Sequence, residues 1–307
     1  MQLFGLKSNI EIENYDLYSE YEFQDIEINI ALESIDYINN QLGLEAEDNT
    51  KIKKDNIFKK LWTDIKKSVS KIFSYFEKKY APEEIKKVLK EVTEAESRYK
   101  KINFDKLPDT LKVGYSSEMG DCFEFHKEVL DCLTTTSHYK NSPNKGPFRY
   151  LIESVRLFKD LDNDEDAKKF ISYIEEDMQR LINNSTYINA TKNPNNLLTK
   201  LFSNIKLTYN KKAIKHNIDI TLDYIKQSLN VLILLDYPKM KEEILLEIDK
   251  VINNSGNDKI SDKMKNEYIK TLRYGINIVT NAERIIFDNL LTMTDFTLRT
   301  INNLEKL

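Results

Sequence analysis

The stretch 262-DKMKNEYIKTLRYGINIVTNAERIIFDNLLTMTDFTLRTINNLEKL-307 decides the fold. Within it Tyr268, Leu272, Gly275, Val279, Ala282, Ile286, Leu290 and Met293 recur at nearly 3.5 residues, and Phe296, Ile301 and Leu304 continue the series. That period belongs to a helix whose apolar seam keeps facing one partner, so the spacing predicts a single helix over 261–305 packed lengthwise in a bundle. Breakers are scarce elsewhere too: the 307 residues hold 7 Gly and 6 Pro, with 40% hydrophobic residues. An all-α, multi-helix bundle with a long C-terminal helix follows.

Working back towards the N-terminus, further helices are expected at 239–253, 195–236, 164–183 and 147–160. The separators are "NNSGN", "DYP", "NNST…NP" and "DLDND". A helix at 121–138 has Asp121 as cap and Phe125, Val129 and Leu133 on its buried face. Before it come a connector at 108–120 and a helix at 83–101 opened by Pro82. Residues 55–80 read as a helix with Phe58, Leu61, Trp62, Ile65, Val69, Ile72, Phe73 and Phe76 on one stripe and lysines on the other. Residues 45–54 read as linker and 23–44 as an amphipathic helix, while 1–22 lack a helical period and read as extended. No internal repeat at solenoid periods is present.

Several function classes find little support. The longest apolar run, near Val231–Leu235, is far short of the roughly 20 residues needed to cross a bilayer, and no cationic-then-apolar leader opens the chain. Cys122 and Cys132 lie ten apart in one expected helix, about 15 Å, too far to bridge, so reduced thiols are expected. Phosphate-cradling glycine loops are absent, and the three histidines stand in no motif that would activate a nucleophile. Glu118, Cys122 and His126 could share a helix face, but no second cluster at metal spacing accompanies them. The "DLDNDED" of 160–166 lacks the sixth-position glycine and twelfth-position glutamate of a calcium loop. Neither a catalytic residue, nor a metal, nor a cofactor is therefore expected.

Charge is distributed with more purpose than the net −4 suggests. Residues 1–50 carry twelve carboxylates against the single Lys7, whereas 51–79 carry ten lysines against Asp55, Asp64 and Glu77. Three regions follow: an acidic segment at 1–50, a basic amphipathic helix at 51–80 and a helical body at 81–307. The basic helix has three readings. Its lysines could simply solvate the outer face of a core helix. They could contact nucleic-acid phosphates without sequence preference, with Lys59, Lys60, Lys66, Lys67 and Lys71 as the contacts and Trp62 and Phe73 anchoring the opposite face to the body. Alternatively, aromatic residues opposite lysines suit an anionic membrane surface, the reading for a helical effector or peripheral protein.

The acidic "IALESIDYINNQLGLEAED" of 30–48, followed by a linker and "IFKKLWTDIKKSVSKIFSYFEKK" at 57–79, resembles the internal head proteins of large tailed bacteriophages. The resemblance covers about the first 80 residues by pattern. It implies a non-enzymatic structural protein of the phage particle, made in the host cytoplasm and packaged inside the head with the genome. It also implies an N-terminal propeptide removed by a prohead protease that cuts after glutamate. Ala31-Leu32-Glu33 fits one such cleavage pattern, and Glu45 and Glu47 are the other candidate positions. The implied partners are phage DNA and other virion proteins, among them the protease and the capsid or portal; a second copy of the chain is left open. Before cleavage the acidic segment would neutralise the basic helix, and its removal would expose the cations to DNA.

Overall fold

In a computed structural model, the described residues are 51–112, 123, 147–192, 208–253 and 259–307. The acidic segment and its expected helix at 23–44 lie outside them, as do Glu33, Glu45 and Glu47, and all of the 121–138 helix except Phe123. Among the described residues the chain is all-α. Helices α1 (Lys51–Lys79) and α2 (Pro82–Tyr99) are followed by α3 (Pro147–Phe158), α4 (Asp164–Ile182) and α5 (Ser185–Lys192). After these come α6 (Lys211–Ile233), α7 (Tyr237–Asn253) and α8 (Asp262–Leu304). A 3-10 turn spans Phe104–Lys106, and two three-residue strands, Thr110–Lys112 (β1) and Thr208–Asn210 (β2), pair antiparallel with Leu111 opposite Tyr209.

The helix boundaries have local causes. Asn163, Asn210 and Ser261 cap α4, α6 and α8, their side chains accepting from the backbone N–H of Asp166, Lys212 and Met264. Asp236 Oδ1 accepts from Lys239 N at 3.0 Å at the start of α7. Pro82 sits in the first turn of α2, where its missing N–H costs nothing.

Three expectations are corrected. The helix expected at 195–236 cannot be one element, because 208–210 is strand and α6 starts only at Lys211. Thr208 and Tyr209 favour a pleated surface, and Asn210 is spent as the cap. The linker expected at 45–54 ends early, since α1 is already helical at Lys51. Residues 185–192, expected as a separator, form α5, nucleated by Asn184 Oδ1, which accepts from Thr186 N at 2.8 Å.

Helix α8 is the spine. Its 43 residues span about 65 Å at the usual helical rise. It packs against α3 and α4 and also against α2 and α6. Helix α7 ties α1 to α3. One continuous apolar core draws on every helix, with Trp62, Val92, Leu151, Ile174, Tyr187, Ile225, Ile248 and Val279 as representatives. Aromatic rings fasten the spine at two levels. Near its start, Tyr268 stacks on Phe158 with centroids 3.9 Å apart and rings 7° from parallel, and its hydroxyl donates to Ser154 O at 2.8 Å. Midway, Phe287 stacks on Tyr80 at 3.7 Å and meets Phe76 and Tyr237 at 6.3 and 6.1 Å.

Polar groups enter this core under constraint. Arg149 and Arg156 of α3 pair with Glu153 and Glu243, and Lys159 and Lys250 pair with Glu247, so cations and carboxylates zip α3 to α7. Glu283 of α8 is treated differently. It is 2% exposed, and the Tyr237 hydroxyl donates to its Oε1 at 2.6 Å. Burial pushes its carboxyl up to about 7, against the smaller opposing effect of the Tyr237 hydrogen bond.

Two predictions concern α8. Gly275 has an ordinary helical backbone, and a methyl group there would meet Met178 Sδ at 3.8 Å and Leu151 Cδ2 at 3.9 Å, both normal contacts. Gly275→Ala is therefore expected to stabilise by about 0.5–1 kcal/mol in urea unfolding; a drop in stability would mean that the helices cannot accept even this methyl. In the unfolded chain Glu283 ionises at its ordinary 4.5, but in the fold only near 7. Between those values the unfolded state releases its proton first, so this group lowers stability as pH rises. Glu283→Gln should gain on the wild type by about 3 kcal/mol between pH 4 and pH 8. Unfolding curves of the two proteins that stay a constant distance apart across that range would refute this account.

Candidate nucleic-acid interface

Helix α1 divides cleanly into two sides. Leu61, Trp62, Ile65, Val69, Ile72, Phe73 and Phe76 are each at most 4% exposed. Trp62, the single tryptophan, lies against the stacked pair of Tyr268, at 6.3 Å, and Phe158, at 6.4 Å, with Phe58 edge-on at 6.2 Å. Among the described residues its indole N–H is buried without a hydrogen-bond partner, a cost of about 1–3 kcal/mol that the surrounding apolar contact offsets. Phe73 packs on Phe148 at 4.5 Å, and Phe76 meets the same ring at 4.9 Å. Both sequence-derived anchor residues thus sit inside the body.

On the other side the lysines separate into two kinds. Lys66 is half-buried and reaches both carboxylate oxygens of Asp249 on α7 at 2.6 Å, and Lys241 of α7 reaches back to Ser74 Oγ at 2.8 Å and Glu77 at 3.5 Å. Lys79 is turned inward, to the Tyr75 hydroxyl at 2.7 Å and Asp288 at 3.5 Å. These cations belong to the packing between helices. Lys59, Lys60, Lys67 and Lys71 are exposed; of them Lys67 has a loose neighbour in Asp64, at 3.7 Å.

The structure adds Lys78, exposed on the same line. Lys60, Lys67, Lys71 and Lys78 follow one another at seven, four and seven residues, which keeps them within about 40° of a common line over about 27 Å. That line lies opposite the Trp62–Phe73 seam, with Lys59 on its flank. Among the described residues Lys59, Lys60, Lys71 and Lys78 form no ion pair. The seven-residue step from Lys71 was the signal that could have picked out Lys78, and the facing Asp249 was the information a single sequence withheld about Lys66.

Such a stripe suits a polyanion. Ammonium groups on flexible stems along one straight edge offer point charges to successive phosphates, without the planar forks that read base edges. Nothing in it points to catalysis. Glu118, Cys122, His126, Cys132 and His138 lie outside the described residues, and among the described residues no group of three or more His, Cys, Asp or Glu converges as metal ligands. In the 160–166 loop Asn163 serves as the cap, Asp162 pairs with Lys259 at 2.5 Å, and Asp164 accepts from Ser261 N at 2.7 Å. Among the described residues no helix is long and apolar enough to cross a membrane. No protein-family model matches the chain, and neither a curated protein nor a solved structure does.

Proposed function

We propose that this is a non-enzymatic structural protein of a phage particle, carried inside the head with the genome. In this reading the lysine line of α1 contacts the phosphates of duplex DNA. The observation that carries it is the exposure of Lys59, Lys60, Lys67, Lys71 and Lys78 on one edge of a helix whose other edge is locked into the core. Fold stability gives little reason to line up Lys60, Lys67, Lys71 and Lys78 with Asp64 as the one carboxylate on that edge, because like charges repel along a helix. A polyanion supplies the missing counter-charge, and release of its condensed counterions drives binding. The resemblance to internal head proteins supports the setting, and the acidic residues 1–50 supply a means of keeping the cations from DNA until a protease cuts at Glu33, Glu45 or Glu47. Other virion proteins would be its neighbours.

Docking on an anionic membrane is the alternative, and one observation weighs against it. An interfacial helix must offer its aromatic side to lipid, whereas Trp62 and Phe73 are 0% and 1% exposed.

Replacing Lys60, Lys67, Lys71 and Lys78 by glutamine in the full chain should weaken duplex binding at low salt at least tenfold. The slope of log affinity against log salt should flatten by about one unit for each lysine–phosphate pair removed. Unchanged affinity and slope would remove the DNA reading. Peptide mapping of the protein from its natural particle should find a terminus just after Glu33, Glu45 or Glu47; an intact Met1 would remove the propeptide.

A further inference from the structure

A second basic surface lies away from α1, where the end of α2, the 3-10 turn and the start of α6 meet. Their meeting is fixed by specific contacts. The Tyr99 hydroxyl donates to Lys215 O at 3.1 Å and Asp219 Oδ1 at 2.9 Å, and the Tyr99 ring meets Phe104 edge-on at 5.7 Å. Lys211 Nζ donates to the carbonyls of Asp105 and Leu107, both at 3.2 Å, and pairs with Asp109 at 3.2 Å. Residues 98–109 and 210–219 together contain seven Lys or Arg against three carboxylates, Asp105, Asp109 and Asp219. Lys100, Lys101, Lys106, Lys212 and Lys215 are all exposed. Lys100 is held by Glu96 at 2.8 Å, and Lys215 lies over the Phe104 ring at 5.7 Å. Lys101, Lys106 and Lys212 form no ion pair among the described residues.

This surface is electrostatically odd as a piece of fold. The first turn of α6 holds Lys211 and Lys212 and no acidic residue. The N-terminus of a 23-residue helix already carries the positive end of the helix dipole, where carboxylates stabilise and lysines do not. The cations come from three separate elements on an open face, which suits an extended chain of phosphates better than one small anion.

Its position matters as much as its charge. Arg98, at the end of α2, pairs with Glu305 at the far end of α8, at 3.2 Å, whereas Trp62 lies against Tyr268 near the start of α8. The 37 residues between Tyr268 and Glu305 span about 55 Å along the helix. The α1 line, which runs from the level of Tyr268 to that of Asp288, and the α2–α6 surface, at the level of Glu305, therefore sit at different levels along α8.

We propose that the surface formed by Lys101, Lys106, Lys212 and Lys215 is a second contact for duplex-DNA phosphates, independent of α1, so that one chain links two duplexes. The inference rests on the DNA reading of α1.

The test tethers a duplex to beads, adds the full chain at low salt, and measures both the protein retained and the capture of a second, fluorescent duplex. Wild type should retain protein and capture. The variant K101Q/K106Q/K212Q/K215Q should be retained on the tethered duplex within about twofold of wild type but capture at most one-fifth as much of the second duplex. The α1 variant K60Q/K67Q/K71Q/K78Q should keep weakened, salt-sensitive retention through the second surface. All eight lysines are exposed, and thermal unfolding matched to wild type is required of each variant before its binding is compared. Capture by the α2–α6 variant equal to wild type would overturn the proposal and leave the DNA role of α1 standing, as would wild type that binds but never captures. An α1 variant that is not retained at all would deny the second surface independence. Wild type that binds no duplex sinks both readings, and wild type retained instead on phosphatidylserine vesicles assigns the cations to lipid.

Discussion

The stacking of Tyr268 on Phe158, with Trp62 pressed against both, is the contact on which the arrangement depends. A 43-residue helix buried along most of its surface cannot stand alone in water, because its Ile, Leu and Val side chains face several directions at once. Several elements must therefore close around it. The cluster at Tyr268 brings α1, α3, α4 and α8 to one point, since Phe170 of α4 also meets Tyr268 at 6.1 Å. Once α1 is pinned there by Trp62, its direction is set. Phe76 and Tyr80 then arrive beside Phe287 and Tyr237, and the second aromatic layer can form.

That pinning also determines which lysines remain outside. A helix with its apolar edge against the body can present only the opposite edge, and the lysines nearest the seam are drawn into pairs with α7 and α8. The division between Lys66 and Lys79 on one hand and Lys60, Lys67, Lys71 and Lys78 on the other is thus a consequence of packing angle. Charge density along the helix alone would not have made it.

Much of this was legible in the chain. The seam from Tyr268 to Leu304 predicted the spine to within a residue or so at each end, because a long repeat is reinforced by every additional turn. The amphipathic stripe of α1 was equally plain, and Trp62 and Phe73 are where that stripe put them. What could not be read were features that depend on a distant partner. Thr208 and Tyr209 are strand because Lys112 and Leu111 lie beside them, about a hundred residues away in sequence. Asn184 was read as part of a breaker, although the same side chain that disfavours a helix interior is well suited to starting one. Lys66 looked like its neighbours until Asp249 was opposite it. The α2–α6 surface was invisible for the same reason: Lys101, Lys106 and Lys212 belong to three runs, none of which is unusually basic alone.

Trp62 has one more consequence. It is the single tryptophan of the chain, it is fully buried, and its immediate neighbours come from α3 and α8. The protein thus contains a built-in optical reporter at the junction between its most cationic helix and its spine. Emission from a dry indole lies to the blue of emission from a wet one, and energy absorbed by Tyr268 passes readily to an indole 6.3 Å away. Whether α1 stays seated or lifts from the body when something binds its outer edge can be followed in the unmodified chain, without a label and at the one point where seating is decided.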